Sequence, residues 1–316
     1  QNYQREDYFA EVNNPVSDDE DKIGGYFKGG LNYNFDDKHN AFFNAGYIER
    51  QPFFDAIFPN FANDVNKDAE NETITSFELG YGYTTRNLKV NLNLYSTLWG
   101  NRFFSRGFDL DGEPGTAQFS NVEQLHQGIE LEIFSKPLPD LQVNAMLSVG
   151  DYRYNDSVES RVFDDNNEFV PGESNTLFLD DVKVGNSAQT TASFSVDYQI
   201  VEGLSADAGY RYFDNLYADF APDDREFLEA DNKGAVELPN YGVADLGVDY
   251  RFKFDQSDLF LRVNVNNVFD KEYISESRTN IHTGPNTQNT YEGVDYRNFV
   301  NWGFGTTWNV SLNYNF

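Results

Sequence analysis

The last nine residues, 308–316, restrict what this chain can fold into more than any other stretch. Apolar or aromatic side chains fall on every second position, and polar side chains, mostly Asn, fall between them. A period of two is typical of a β-strand with one apolar and one polar face. The same phase continues back to Val300, so the pattern predicts one strand over residues 300–316. That length exceeds an ordinary soluble strand and suits a tilted strand that crosses a membrane and continues beyond it.

The phase of this strand also predicts what each side chain faces. We expect one set to face lipid: Val300, Trp302, Phe304, Trp308, Val310, Leu312, Tyr314 and Phe316. The alternate set would face a wet interior: Asn301, Thr307, Asn309, Ser311 and Asn313.

Composition narrows the class of protein. The 316 residues carry a net charge of −29, contain no Cys, and are 16 % aromatic. Nowhere do enough apolar residues run together for a transmembrane helix, and an acidic chain of this kind offers no basic patch for nucleic acid. A mean hydropathy of −0.63 still allows a membrane β-barrel, because half of each strand faces water.

Period-two segments recur along the whole chain, and the connections between them are alternately short and long. This rhythm is typical of an outer-membrane barrel, with short periplasmic turns and long extracellular loops. The segments predict eleven strands, near residues 23–35, 41–50, 76–84, 88–103, 125–134, 141–151, 188–199, 204–212, 243–254, 259–265 and 300–316.

The predicted fold is therefore an all-β, antiparallel transmembrane β-barrel. Bacterial barrels have even strand numbers, and an open sheet would leave an unpaired edge in lipid. We therefore expect residues 1–316 to be the C-terminal segment of a larger barrel, with the first strands outside this sequence. A soluble β-sandwich or propeller is the alternative. The long strands, the short/long rhythm and the aromatic residues at strand ends weigh against it.

Three motifs resemble those of TonB-dependent outer-membrane receptors, most closely those of the Bacteroidota. The segment Leu261–Tyr273 is similar to their penultimate strand, with Val268 in place of the usual Leu. Gly46–Phe54 resembles a strand end that carries an aromatic residue and an Arg before a Pro. Gly128–Glu132 resembles their Gly-x-Glu-x-Glu strand.

The resemblance implies a location, an activity and partners. It implies strands 12 to 22 of a barrel of about 22 strands, which is wide enough to need a plug. It also implies import of a scarce nutrient, such as a ferric siderophore, across the bacterial outer membrane. The implied partners are outer-membrane lipid and lipopolysaccharide, an N-terminal barrel and plug portion, the TonB complex reached through that portion, a small-molecule substrate and a surface lipoprotein. A passive porin or a surface scaffold is the alternative function.

In this family the terminal strand acts as a signal for barrel assembly. By that resemblance, the signal residues here are Trp308, Val310, Leu312, Tyr314 and Phe316.

A small-molecule ligand is expected at the loop side of the barrel, where cationic, amide and aromatic side chains meet an otherwise acidic rim. The run 52–61 is apolar for an external loop, so it would form either a packed lid or an aromatic platform for a ligand. The candidate ligand-binding residues are Arg50, Gln51, Phe53, Phe54, Arg102 and Arg106.

Acidic residues concentrate in the long loops, where solvated surface charge is the simplest interpretation. A Ca²⁺ site at Asp109, Asp111 and Glu113, or within 164–168, is the sharper alternative, although the EF-hand spacing is absent. No other cofactor is indicated. With three His, no Cys and no nucleophile elbow or catalytic triad, the sequence predicts no enzyme.

Overall fold

The chain folds almost entirely into antiparallel β-structure. The computed structural model describes residues 1–6, 16–58, 63, 65–67, 69–110, 113–164, 168–174, 176–220 and 225–316. Among these described residues, the main sheet contains 13 strands. Eleven of them follow one another as an antiparallel meander, as the sequence predicts.

The meander strands, numbered here in chain order, form a continuous wall. Each strand pairs with the next one along the chain, so the order in the sheet is the order in the sequence. Their bounds are β1 Tyr26–Asn34, β2 His39–Arg50, β3 Glu72–Thr84, β4 Leu88–Leu110, β5 Glu113–Leu138, β6 Leu141–Tyr154, β7 Thr190–Val201, β8 Leu204–Asp214, β9 Tyr241–Lys253, β10 Asp258–Asn266 and β11 Thr307–Asn315.

Smaller elements lie in the connections. The helices are α1, Phe54–Ile57, and a 3₁₀ turn, Arg225–Leu228. Neither they nor any other described helix is long and apolar enough to span a bilayer. The short strands pair as Asn2–Tyr3 with Glu20–Asp21, Val158–Asp164 with Thr176–Leu177, Leu216–Tyr217 with Glu237–Leu238, Ile274–Ser277 with Val300–Trp302, and Thr290–Tyr291 with Val294–Asp295.

The wall has one apolar and one polar face, because the register places apolar side chains opposite apolar ones and polar side chains opposite polar ones on neighbouring strands. On one face of β10 and β11, Leu261 lies opposite Leu312 and Val263 opposite Val310. On the other face, Asn264 lies opposite Asn309 and donates a 2.9 Å hydrogen bond to its side-chain oxygen. Cross-strand pairs of this kind fix the register, since a slip of one residue would exchange the two faces.

Charged side chains on the polar face pair with one another. Arg262 bridges two carboxylates on neighbouring strands, Asp207 at 2.8 Å and Asp249 at 3.3 Å. Arg211 forms a further pair with Asp245 at 2.8 Å. These pairs link β8, β9 and β10 across the polar face.

The prediction of one unbroken strand from Val300 to Phe316 is wrong. Val300–Trp302 pairs with Ile274–Ser277, away from the wall, and β11 begins only at Thr307. Val300 packs against a buried cluster in the connections and does not lie on the apolar face of the wall. The strand breaks because Thr306 makes two other hydrogen bonds. Its backbone N–H donates to the Asp270 carboxylate at 2.9 Å, and its hydroxyl donates to the Asn267 carbonyl at 2.8 Å.

The connection predicted after residue 103 is also different in the structure. β4 and β5 continue as a long paired hairpin, with Phe104 opposite Phe119 and Leu110 opposite Glu113. Val158–Asp164 pairs with the outer part of β5 and widens this hairpin. The sheet therefore extends well beyond the ends of its neighbouring strands.

The buried core lies in the connections and not between the two faces of the wall. The largest cluster combines the β4–β5 hairpin with the connections that follow β6 and β8. A second cluster joins the connections after β8 and β10, and a third surrounds α1. The long connections therefore form a packed cap over one end of the sheet.

Candidate ligand-binding site

Arg50 is held at the end of β2 by a buried carboxylate. Glu72, the first residue of β3, lies opposite Arg50 in the register, is only 4 % exposed, and forms an ion pair with the guanidinium. The same guanidinium lies over the rings of Phe53 at 4.6 Å and Trp99 at 5.7 Å. Because its charge is neutralised by Glu72, Arg50 mainly ties the chain entering the cap to the wall.

The apolar run after Arg50 divides into a packed part and an exposed part. Ile57 and Phe58 are buried against Tyr3, so this part of the run packs as a lid. Phe53 is 62 % exposed, and Phe54 is half-exposed with its ring 4.9 Å from that of Phe58. The buried part is packed as the lid alternative expects, and a ligand platform at the exposed Phe53 and Phe54 stays a prediction. Residues 59–62 lie outside the described residues.

Arg102 lies in a different place, in a cavity of about 280 Å³ between the β4–β5 hairpin and the cap. Its guanidinium lies 5.5 Å from the centre of the Phe104 ring. The other lining residues come from β5, β6 and the two connections that follow β6 and β8: Gln124, Tyr154, Val184, Gly185, Asp219 and Phe220. The predicted residues are therefore not all together: Arg50 lies with Phe53, whereas Arg102 lies beside Phe104, which was not among the predicted residues.

Two polar groups in this cavity are poorly satisfied. The Nε atom of Arg102 is buried and has no hydrogen-bond partner among the described residues. Asp219 accepts the backbone N–H of Phe220 at 2.9 Å. Asp219 is exposed, but the surrounding protein still desolvates its carboxyl and raises the pKa of Asp219 above its usual range, and that hydrogen bond and the charge of Arg102 oppose the rise only in part. Groups of this kind in a concave site are typical of ligand contacts.

The remaining predicted sites are only partly described. The side chains of Arg106 and Asp109 and the whole of Asp111 lie outside the described residues, so the Ca²⁺ prediction at Asp109, Asp111 and Glu113 remains a prediction. The same applies to 164–168, where 165–167 are not described. In the described part of the chain, no group of three His, Asp or Glu side chains is arranged to hold a metal ion.

Sequence reasoning found Arg102 but missed its surroundings. Gln124 and Tyr154 only continue the period-two pattern of their strands, so the sequence around them does not indicate a binding site. Asp219 and Phe220 lie in a connection whose path only the folded cap defines. A cavity built from four separate segments has no local sequence signature.

The sequence matches a family model described as "TonB dependent receptor-like, beta-barrel" over residues 2–268. The class of protein is therefore a membrane β-barrel of receptor type, and the chain belongs to the TonB-dependent receptor family. A search of curated proteins found no match.

Solved structures share the fold at low sequence identity. The siderophore receptor PiuA from Acinetobacter baumannii has a TM-score of 0.64 and 14 % identity, over 97 % of this chain and 38 % of that one. A variant of the ferric enterobactin receptor PfeA from Pseudomonas aeruginosa has a TM-score of 0.60 and 16 % identity, over 91 % and 39 %. The ferric-catecholate import receptor Fiu from E. coli K12 has a TM-score of 0.56 and 17 % identity, over 91 % and 34 %. This chain spans well under half the length of each.

Family membership assigns the location and the faces of the wall. The chain is an outer-membrane protein that crosses the bilayer with strands, and its family and structural neighbours are receptors and transporters, not enzymes. The apolar face that carries Val310 and Leu312 is therefore the lipid face. The face that carries Asn309 and Arg262 is the lumen face.

Proposed function

We propose that this chain is the C-terminal part of a TonB-dependent outer-membrane transporter that imports a scarce nutrient such as a ferric siderophore. Family membership and the eleven-strand meander carry the proposal. In the described sheet, β1 and β11 each pair on one side only. An edge of this kind in lipid would leave backbone groups unsatisfied, so further strands must close the barrel between them.

In this proposal, the whole transporter also contains a first set of strands and a plug domain that fills the lumen. The plug would carry the segment that contacts the TonB complex. The nutrient class is supported by the neighbours, several of which are receptors for ferric siderophores, while another is the copper transporter OprC. The ligand would enter at the cap and reach the exposed Phe53 and Phe54 and the Arg102 cavity there.

The test of transport uses the full-length protein in cells with and without TonB. Uptake of ⁵⁵Fe-labelled siderophores or of other labelled nutrients should require both the receptor and TonB. Uptake that persists at the same rate after removal of TonB would identify a passive porin instead. No uptake in either strain, with the receptor present at the cell surface, would favour a surface scaffold.

A second test asks whether the cap contacts the ligand. Alanine at Phe53, Phe54 and Arg102 together should weaken binding by about 2 kcal/mol or more, if these side chains form buried contacts. The barrel should still fold, because all three lie at the cap and not within the lipid-facing part of the wall. Because the residues form two groups, Phe53→Ala with Phe54→Ala and Arg102→Ala should also be measured separately by titration calorimetry.

A further inference from the structure

The Arg102 cavity is a built site, because four segments are fixed around it by backbone contacts. The Tyr154 N–H donates to the Val182 carbonyl at 2.8 Å, and the Val184 N–H donates to the Tyr152 carbonyl at 3.0 Å. A Cβ on Gly185 would lie 2.5 Å from the Asp219 Cα, so only glycine lets these two connections approach so closely. The position of Asp219 against Gly185 is therefore set by the fold.

The cavity presents both a hydrogen-bond donor and a carboxylate. Arg102 offers a buried Nε–H without a partner, and Asp219 offers an acceptor at the same cavity. An anionic group would be attracted by Arg102 but repelled by Asp219, within a chain whose net charge is −29. Two adjacent hydroxyl groups satisfy both residues, because one can accept a hydrogen bond from Arg102 while the other donates one to Asp219.

Three aromatic rings form the walls of the cavity. Tyr154 lies between the other two, with its ring centre 6.5 Å from that of Phe104 and 5.5 Å from that of Phe220, both at edge-to-face angles. Such walls suit the flat, apolar side of a ring. The volume of about 280 Å³ lies just below the range of complete small-molecule sites, so it holds one ring of a larger ligand.

We propose that this cavity binds an uncharged six-membered ring with adjacent hydroxyl groups, the chemistry of a sugar residue, at the end of a larger ligand. Arg102 and Asp219 would hold the hydroxyl groups, and Tyr154 and Phe220 would pack against the ring. The inference rests on the proposed function of the chain as a nutrient receptor, and it names the part of the nutrient that the cap recognises.

The experiment measures binding to the full-length receptor in detergent by titration calorimetry. The probes are neutral hexasaccharides of glucose, mannose, galactose and xylose, free catechol, and an anionic gallium(III) tris-catecholate. At least one hexasaccharide should bind, and Arg102→Gln and Asp219→Leu should each weaken that binding about tenfold or more, as expected when a ligand loses a hydrogen bond to a charged group. If catechol alone bound, and if its binding were weakened in the same way by the Arg102 and Asp219 substitutions, the ring would be that of a siderophore and the sugar assignment would be overturned.

Arg278→Gln is the matched control, because Arg278 also lies over a phenyl ring, that of Phe299 at 5.5 Å, but is exposed and outside the cavity. The Arg278→Gln variant should bind the hexasaccharide with the same affinity as the unaltered receptor. Equal losses in Arg278→Gln and Arg102→Gln, preference for the tris-catecholate, or binding of no hexasaccharide would overturn the inference. TonB-dependent uptake of an anionic ferric complex alone would remove this inference and leave the transport proposal standing. Hexasaccharide binding without TonB-dependent uptake would support this inference and contradict the transport proposal.

Discussion

At the residue scale, the motif that carries the family resemblance has a definite structural role. Asn267 is only 5 % exposed and adopts a positive φ of 49°, which Asn tolerates better than most residues. Its amide donates to the Lys271 carbonyl at 2.9 Å and to the Phe304 carbonyl at 3.0 Å, and its oxygen accepts the Lys271 N–H at 2.9 Å. The motif therefore ends β10 and attaches the chain that leads into β11.

Gly303 gives a residue-scale prediction. The Tyr273 ring lies directly against this glycine, so a Cβ at this position would overlap the ring atoms. Tyr273 cannot move away freely because its ring is stacked on Tyr241 at 4.0 Å. We expect Gly303→Ala to lower the free energy of unfolding by about 1–3 kcal/mol through overpacking, measured by thermal unfolding in detergent.

The matched control for this substitution is Gly209→Ala. Gly209 lies in β8, and a Cβ there meets nothing within 4 Å. An unchanged unfolding temperature is expected for the control. Equal effects at both glycines would show that the ring of Tyr273 is not what requires Gly303.

At the scale of the element, strand length followed hydrogen bonding and not the hydrophobic pattern alone. β11 is shorter than its alternation suggests, because Asn267 and Asp270 capture the backbone at Phe304 and Thr306. β4 and β5 are longer than predicted, because an added strand, Val158–Asp164, supports the hairpin beyond the wall. An alternating pattern shows which residues can share a face, but pairing partners decide where a strand ends.

The two faces of β11 can be distinguished by a charge. Val310→Lys would place an ammonium on the lipid face opposite Val263 and should cost about 2–4 kcal/mol if it lies near the bilayer midplane. Asn309→Lys, one residue away, would place the same charge on the lumen face opposite Asn264 and should be tolerated. The amount of folded receptor in the outer membrane, read from heat-modifiable gel mobility, should fall only for Val310→Lys. If only Asn309→Lys lowered the amount of folded receptor, the lipid and lumen faces would have to be exchanged.

At the scale of the whole molecule, the stable core and the membrane wall are separate. The buried clusters lie in the cap, whereas wall residues such as Trp308 and Leu312 are exposed in the isolated sheet. Lipid must cover one face of the wall, and the contents of the lumen must cover the other. The wall therefore depends on correct insertion into the bilayer, while the cap can hold its shape through its own packing.

The final strand is expected to control that insertion. Phe316 is 99 % exposed and Tyr314 lies on the same apolar face. Deleting Phe316, or changing it together with Tyr314 to Asp, should abolish accumulation in the outer membrane, because the assembly signal is lost and a lipid-facing charge is costly. Asn313→Asp, on the lumen face, is the control and should accumulate normally. Normal surface levels of the Phe316 variants, measured by immunoblot of membrane fractions, would contradict the prediction.

Side-chain alternation was enough to predict the class of fold, the eleven strands and the two faces of the wall. These follow from side-chain alternation, which is local and is repeated in every strand, so each segment reports its own geometry. In the structure, like residues of neighbouring strands then lie opposite each other, as Val263 and Val310 do.

The cap and the candidate site could not be predicted from alternation, because they depend on long-range packing. Arg50 was predicted as a ligand contact, but the fold gives it Glu72 as a partner. Arg102 was predicted beside Phe53, but the fold places it with Phe104 and with Asp219, more than a hundred residues along the chain. These assignments depend on how long connections pack against one another, and that packing arises from contacts between distant segments, which no local period records.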